Sequence, residues 1–191
     1  MILAERLGHL PLMEQIEADL AAGRIPPGRI AEVTAPAMDG LRLADLPAIL
    51  GAAPLLQNIE AGLDLLRGRG ARLVLATTTS KFAADYFADR FGMDACCGTE
   101  IRIEAGIVRG QLVRFCRPED KGAFLAACRE RWTIPRDRSV AVGDSSGDLP
   151  LFRAAGVRLA LNAIPALRAE ADVTLETEDF LEVAAAILHW S

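Results

Sequence analysis

An α/β fold built on a parallel sheet is what this sequence predicts, and three observations predict it. Two short apolar runs, 72–77 and 139–143, end in polar residues and hand over to helical patterns. From residue 54 onward, strand-like and helix-like stretches alternate, the order of a sheet with helices on both faces. Ala, Leu and Val are abundant while aromatics are only 5%, which suits helices packed on a buried parallel sheet.

Residues 1–50 read as helical and contain no good strand. Leu3, Leu7, Leu10, Met13, Ile16 and Leu20 recur at spacings of three and four, one apolar helix face that Gly23 and Pro26-Pro27 interrupt. A second helix is expected from near Pro27 through Ile30, Val33 and Ala37 until Gly40, and a third, short one over 45–50. Ile59 to Arg67 is a helix closed by Gly68 and Gly70. The run 72–77 is a buried strand, after which Thr79 or Ser80 can cap a helix carrying Phe82, Tyr86, Phe87 and Phe91. Ile101, Ile103, Ile107, Val108 and Val113 alternate with polar residues around Ala105-Gly106, an antiparallel hairpin or flap rather than a core strand. Pro118 opens a helix to about Trp132. Then follow a strand over 139–143, a helix over 148–155, a strand over 157–161, a short helix over 165–171, a strand over 173–175 and a helix over 179–189. Trp132 and Trp190 are read as core. The division expected is a helical region over 1–53 and an α/β core over 54–191.

A length of 191 residues allows one ordinary domain with a small subdomain, and 51% hydrophobic content supports a sizeable core. The net charge of −5 argues against a nucleic-acid partner, whose phosphates need basic surface. No apolar run reaches the roughly 20 residues that span a bilayer, and the amphipathic start does not read as a signal peptide. The expectation is a cytoplasmic protein without a membrane. Cys96, Cys97, Cys116 and Cys128 contain no C-x-x-C pair and are read as reduced, partly buried thiols.

In an open α/β sheet, ligands bind beyond the carboxyl ends of the strands. Three signals sit there. Gly143-Asp144-Ser145-Ser146-Gly147-Asp148 brings two carboxylates, four positions apart, to a strand end. Such a pair suits Mg²⁺, a hard cation that takes one or two carboxylates plus substrate oxygens. Asp148 is also placed to cap the next helix, which would leave Asp144 unexplained. The run Thr77-Thr78-Thr79-Ser80 offers hydroxyls before a helix start, an anion cradle or simply a cap. Lys121 lies in the first turn of a helix, where a cation is unfavourable unless it reaches an anion; alone it would be read as a surface lysine.

Hydroxyl run, lysine and acid pair, in that order, resemble the haloacid dehalogenase superfamily, and in particular its phosphoserine phosphatase branch. The resemblance covers nearly the whole chain. Val33 to Gly40 is similar to that branch's small helical cap, Gly70 to Thr77 to the second motif and Gly98-Thr99-Glu100 with Glu119-Asp120-Lys121-Gly122 to the third. Gly143 to Pro150 is similar to the fourth motif, the most specific match. The resemblance implies a Rossmann-like core with a helical cap and a β-hairpin, and a Mg²⁺-dependent hydrolase of a small phosphorylated metabolite. Thr77 and Thr78 would bind the phosphoryl group, Thr77 and Lys121 would be catalytic, and Lys121 would neutralise phosphoryl charge. Asp144 would ligate Mg²⁺, with Asp148 as ligand or support. The chain departs from that pattern at Thr77-Thr78-Thr79, where the branch carries glycines, and at Gly147, where it carries Asn.

The family's opening strand with Asp-x-Asp, source of the nucleophile, has no counterpart here. Asp19, Asp39, Asp45 and Asp64 sit in helical or turn context. The expectations are therefore a missing first core strand, a gapped sheet and a chain inactive as written, through truncation or a misassigned start. The alternative is a catalytically dead binding or scaffold protein. An acidic receiver-like domain fits less well, having no place for residues 1–50 or the hairpin.

Overall fold

The computed structural model describes residue 5 and residues 8–22, 24–25 and 29–190. The expected apolar positions Leu3 and Leu7, the breaker Gly23 and the pair Pro26-Pro27 lie outside the described residues. In chain order the helices are α1 (Leu10–Ala21), α2 (Ile30–Thr34), α3 (Leu46–Leu50), α4 (Ile59–Gly68), α5 (Lys81–Arg90), α6 (Pro118–Arg131), α7 (Leu149–Ala154), α8 (Pro165–Arg168) and α9 (Phe180–Trp190). The strands are β1 (Val74–Ser80), β2 (Ala95–Glu104), β3 (Ile107–Arg114), β4 (Val140–Gly143), β5 (Val157–Leu161) and β6 (Val173–Leu175). No described helix is long and apolar enough to cross a membrane.

Two compact units are present. The first comprises Met1–Pro54, Thr78–Phe87 and Gly98–Arg117; the second comprises Leu55–Thr77, Ala88–Cys97 and Pro118–Ser191. The first therefore holds more than the helical region expected from the sequence.

In the first unit, β2 and β3 pair antiparallel from Glu100↔Arg114 to Glu104↔Ile107, with register shifts that leave extra residues on β3. The turn between them is Ala105-Gly106, both at positive φ, so the hairpin is local in origin. Phe82, Ala83, Ile101, Val108, Leu41, Leu46 and Leu50 form its core, with Tyr86 and Leu112 packed against it. The expectation of a flap holds only for the distal half. The proximal half of β2 is buried, Cys97 at 8% and Thr99 at 4% exposure, because it pairs with β1.

The second unit carries the parallel ladder. β4 pairs with β5 from Val140↔Val157 to Gly143↔Ala160, and β5 with β6 from Leu159↔Val173 to Leu161↔Leu175. Leu125 of α6, Ala141 of β4, Leu151 and Phe152 of α7, Ala160 of β5 and Leu167 of α8 form one core cluster. Phe152 is 1% exposed, so truncation to Ala would cost about 3–5 kcal/mol. Small residues on the strands and large ones on the helices let the layers approach closely. Where the two helices meet, a Cβ on Gly122 of α6 would lie 2.7 Å from the Pro150 carbonyl oxygen of α7.

The strands form two three-stranded sheets, ordered β1-β2-β3 and β4-β5-β6. Ala76 of β1 packs against the cluster that holds Ala141 of β4, yet β1 and β4 share no ladder. Each is the end strand of its sheet, so each keeps one edge of backbone groups outside any ladder.

Cys97, Cys116 and Cys128 are buried and Cys96 is half-buried, all as free thiols. The reading of both tryptophans as core fails at Trp190, which is 51% exposed at the end of α9. Trp132 is half-buried, with the Arg72 and Arg131 guanidiniums each 5.8 Å from its ring.

Candidate functional site

Lys121 is not a surface lysine. It occupies the fourth position of α6 and is 6% exposed. Its Nζ donates to Asp148 Oδ1 at 2.8 Å, an ion pair with both side chains below a tenth exposed. An ammonium has three donors, so one bond to Asp148 leaves two N–H groups for another acceptor.

Asp148 stands where α7 begins, but its carboxylate makes no capping bond to that helix. The sequence expectation of a simple cap fails here because the side chain turns back into the loop. Oδ2 accepts the backbone N–H of Asp144 at 3.1 Å and of Ser145 at 3.2 Å, and lies 3.3 Å from Ser145 Oγ. Ser145 and Asp148 thereby close a reciprocal capping box around the 3₁₀ turn Ser146–Asp148. Burial alone would raise the Asp148 carboxyl, but Lys121 and the loop amides hold it below the usual carboxylate range.

Asp144 follows the last residue of β4 and is exposed. Its carbonyl accepts the Ile164 N–H at 2.9 Å and its N–H is held by Asp148, so the backbone is fixed on both sides. Among the described residues nothing donates a hydrogen bond to its carboxylate. One acid thus holds the loop while the other is left for an outside ligand.

The glycines of this loop act differently from one another. A Cβ on Gly143 would lie 2.6 Å from Asp148 Cβ, so glycine there allows Asp148 to close over the strand end. At Gly147 a Cβ would meet only Ser145 Oγ at 3.6 Å and Lys121 Nζ at 3.9 Å, ordinary contacts.

Thr77 is half-buried in β1, one residue beyond Ala76, which packs on the core cluster beneath the loop. Thr77 therefore belongs with Lys121, Asp144 and Asp148 in the second unit, whereas Thr78 belongs to the first. Ser80, read as a possible cap, is the last residue of β1; its Oγ is buried and has no partner among the described residues.

Among the described residues no three His, Cys, Asp or Glu side chains gather as a metal site. The free Asp144 carboxylate, on a rigid backbone, fits a Mg²⁺ held by one protein carboxylate with water and substrate oxygens completing its shell. Sequence reasoning quoted Thr99 and Ser145 within longer runs but gave neither a role; the structure bonds Thr99 to Thr78 and Ser145 to Asp148. The capping-box spacing from Ser145 to Asp148 was a legible signal.

Residues 4–153 match the family described as haloacid dehalogenase-like hydrolase. The chain is similar to a phosphoserine phosphatase of Idiomarina loihiensis, 26% identical over 147 residues, covering 76% of this chain and 67% of that protein. It is also similar to one of Methanocaldococcus jannaschii, 26% identical over 128 residues, covering 66% and 61%. Several such relatives are longer, the matched stretch being 53% of the Albidiferax ferrireducens protein. Among solved structures, a phospho-aspartyl intermediate analogue of phosphoserine phosphatase matches with a TM-score of 0.82 at 19% identity, over 97% of this chain and 89% of that one. At that identity the likeness is one of fold.

Proposed function

From the premise that this chain belongs to the haloacid dehalogenase-like hydrolase family, we propose that it forms the phosphate- and metal-binding part of a phosphomonoester hydrolase. The substrate class proposed is a small phosphorylated metabolite. The observation that carries this reading is the buried Lys121, paired once to Asp148 and left with two N–H groups beside the loop that bears the free Asp144 carboxylate. An apolar core has no use for such an arrangement, and a buried ion pair is by itself weak evidence of stabilisation.

In this reading Lys121 donates to the phosphoryl oxygens and offsets charge that builds in the transition state. The Thr77 hydroxyl donates to a second oxygen. Asp148 takes no part in bond making; it holds Lys121 and the Asp144 amide in register. Asp144 holds Mg²⁺, which when bound would neutralise charge on the transferring group. The nucleophile is proposed to be an aspartate on a strand that pairs between β1 and β4, whose end positions in their sheets and shared core at Ala76 and Ala141 support that place. That carboxylate attacks phosphorus, the alcohol departs, and water then cleaves the acyl phosphate.

The test is Mg²⁺-dependent phosphate release from an aryl phosphate by the 191-residue chain, alone and fused to an N-terminal strand bearing Asp-x-Asp. The expected result is silence alone, activity in the fusion, and loss of that activity in Asp144→Asn. Activity of the chain alone, abolished by Asp144→Asn, would mean that an acid of this sequence is the nucleophile. Silence in both forms, with phosphate still bound, would leave a binding protein.

A further inference from the structure

Resting on that phosphate-binding reading, we propose that Thr99 is a positioning residue: its hydroxyl fixes the Thr78–Thr79 peptide, and with it the hydroxyl run that begins at Thr77.

Thr99 lies in the buried half of β2 and is 4% exposed. Its Oγ1 donates to the Thr78 carbonyl oxygen at 2.7 Å and accepts the Cys116 backbone N–H at 3.2 Å. Cys116 is fully buried, so its amide cannot turn to water instead. A hydroxyl has one proton to give, and it goes to Thr78, so the three groups form a directed chain from amide to hydroxyl to carbonyl. The end of β1 is thus tied to the segment that follows β3.

The neighbouring residue makes this contact possible. A Cβ on Gly98 would lie 2.9 Å from Lys81 Cα, 3.0 Å from the Thr79 carbonyl oxygen and 3.1 Å from Lys81 N. Only glycine lets β2 press against the turn from β1 into α5. Gly98 therefore sets the approach, and Thr99 sets where the turn is held along the strand.

Strand propensity alone does not account for the threonine, because valine is as good a strand former and lacks the hydroxyl. The turn's own hydroxyl at Ser80 does not supply the hold either, since its Oγ has no partner among the described residues.

The experiment compares Thr99→Val with Thr99→Ser in the full chain. Two readouts are taken: inorganic phosphate affinity in the presence of Mg²⁺, and amide hydrogen exchange over 78–82 and at Cys116. Thr99→Val is expected to weaken phosphate binding on the order of tenfold and to speed exchange at these amides, leaving distant amides of the second unit unchanged. Thr99→Ser is expected to restore both. Exchange over 78–82 unchanged in Thr99→Val overturns the positioning role. If the native chain binds no phosphate while exchange responds as stated, the hydrolase reading falls and the positioning role stands. Should Thr99→Val not fold, the native Cys116 amide decides: slow exchange supports the bond to Thr99, and free exchange refutes it.

Discussion

Truncating Asp148 to alanine should cost far more than replacing Lys121 by methionine, although the two side chains form one ion pair. The reason is the inequality of their remaining partners. Without Lys121, Asp148 still accepts the Asp144 and Ser145 amides and the Ser145 hydroxyl lies beside it. Without Asp148, Lys121 is a buried ammonium with no other partner among the described residues, and two loop amides lose their acceptor. Breaking a buried pair in the second way costs about 3–5 kcal/mol. Lys121→Met, which leaves a carboxylate with its other donors and keeps most of the packing volume, should cost about 1–3 kcal/mol. For a chain of this length the larger loss corresponds to a fall in Tm of roughly 6–20 °C. Both tryptophans lie in the second unit, so urea unfolding followed by fluorescence reports on the right part of the chain. The double variant should lose less than the sum of the two single losses, because the uncompensated charge is gone. Equal costs for the two single variants, or a larger one for Lys121→Met, would refute the view that Asp148 organises the loop.

Gly122→Ala should destabilise by about 1–3 kcal/mol in the same urea assay, although alanine is the better helix former, because its methyl would meet the Pro150 carbonyl. Acid should weaken the second unit through its depressed carboxylates, Asp94 and Asp172 as well as Asp148. At Asp94, burial would raise the carboxyl, but the Leu73 amide and Arg72 hold it below its usual range; at Asp172 the Arg158 guanidinium does so despite some burial. Because both folded values are depressed, their contribution is complete above the unfolded carboxylate pKa of about 3.9 and is lost as pH falls through the folded values. Asp94→Asn and Asp172→Asn should each flatten the loss of urea stability between about pH 5 and pH 2, and an unchanged slope would count against these pairs.

Much of the core was legible because its causes are local. The runs ending at Thr77 and Gly143 are strands, Gly68 closes α4, and Ala105-Gly106 makes the hairpin turn. The acid pair and Lys121 were also legible, as residues of the right type at helix starts. What could not be read was what each side chain does after folding. Asp148 turns backward because Gly143 has no side chain, a relation between strand end and loop that spacing does not express. Lys121 is buried because α6 and α7 close on Gly122 and Pro150, a tertiary fact. The buried half of β2 was missed because its burial comes from β1, and Cys96-Cys97-Gly98-Thr99 shows no alternation to announce it.

The seam between α4 and α9 bears on the order in which the protein can be made. The Gln57 N–H donates to the Glu178 carbonyl, the Phe180 N–H donates to the Gln57 carbonyl, and Asn58 reaches Asp179 at 3.1 Å. A Cβ on Gly62 would lie 2.6 Å from the Phe180 ring, so α4 is shaped for a helix encoded more than a hundred residues later. During synthesis at about 5–20 residues per second, α4 waits several seconds for that partner. Throughout that interval its apolar side is available to chaperones or to other nascent chains. A chain cut short before Phe180 would therefore expose a side of α4 that the finished protein keeps covered.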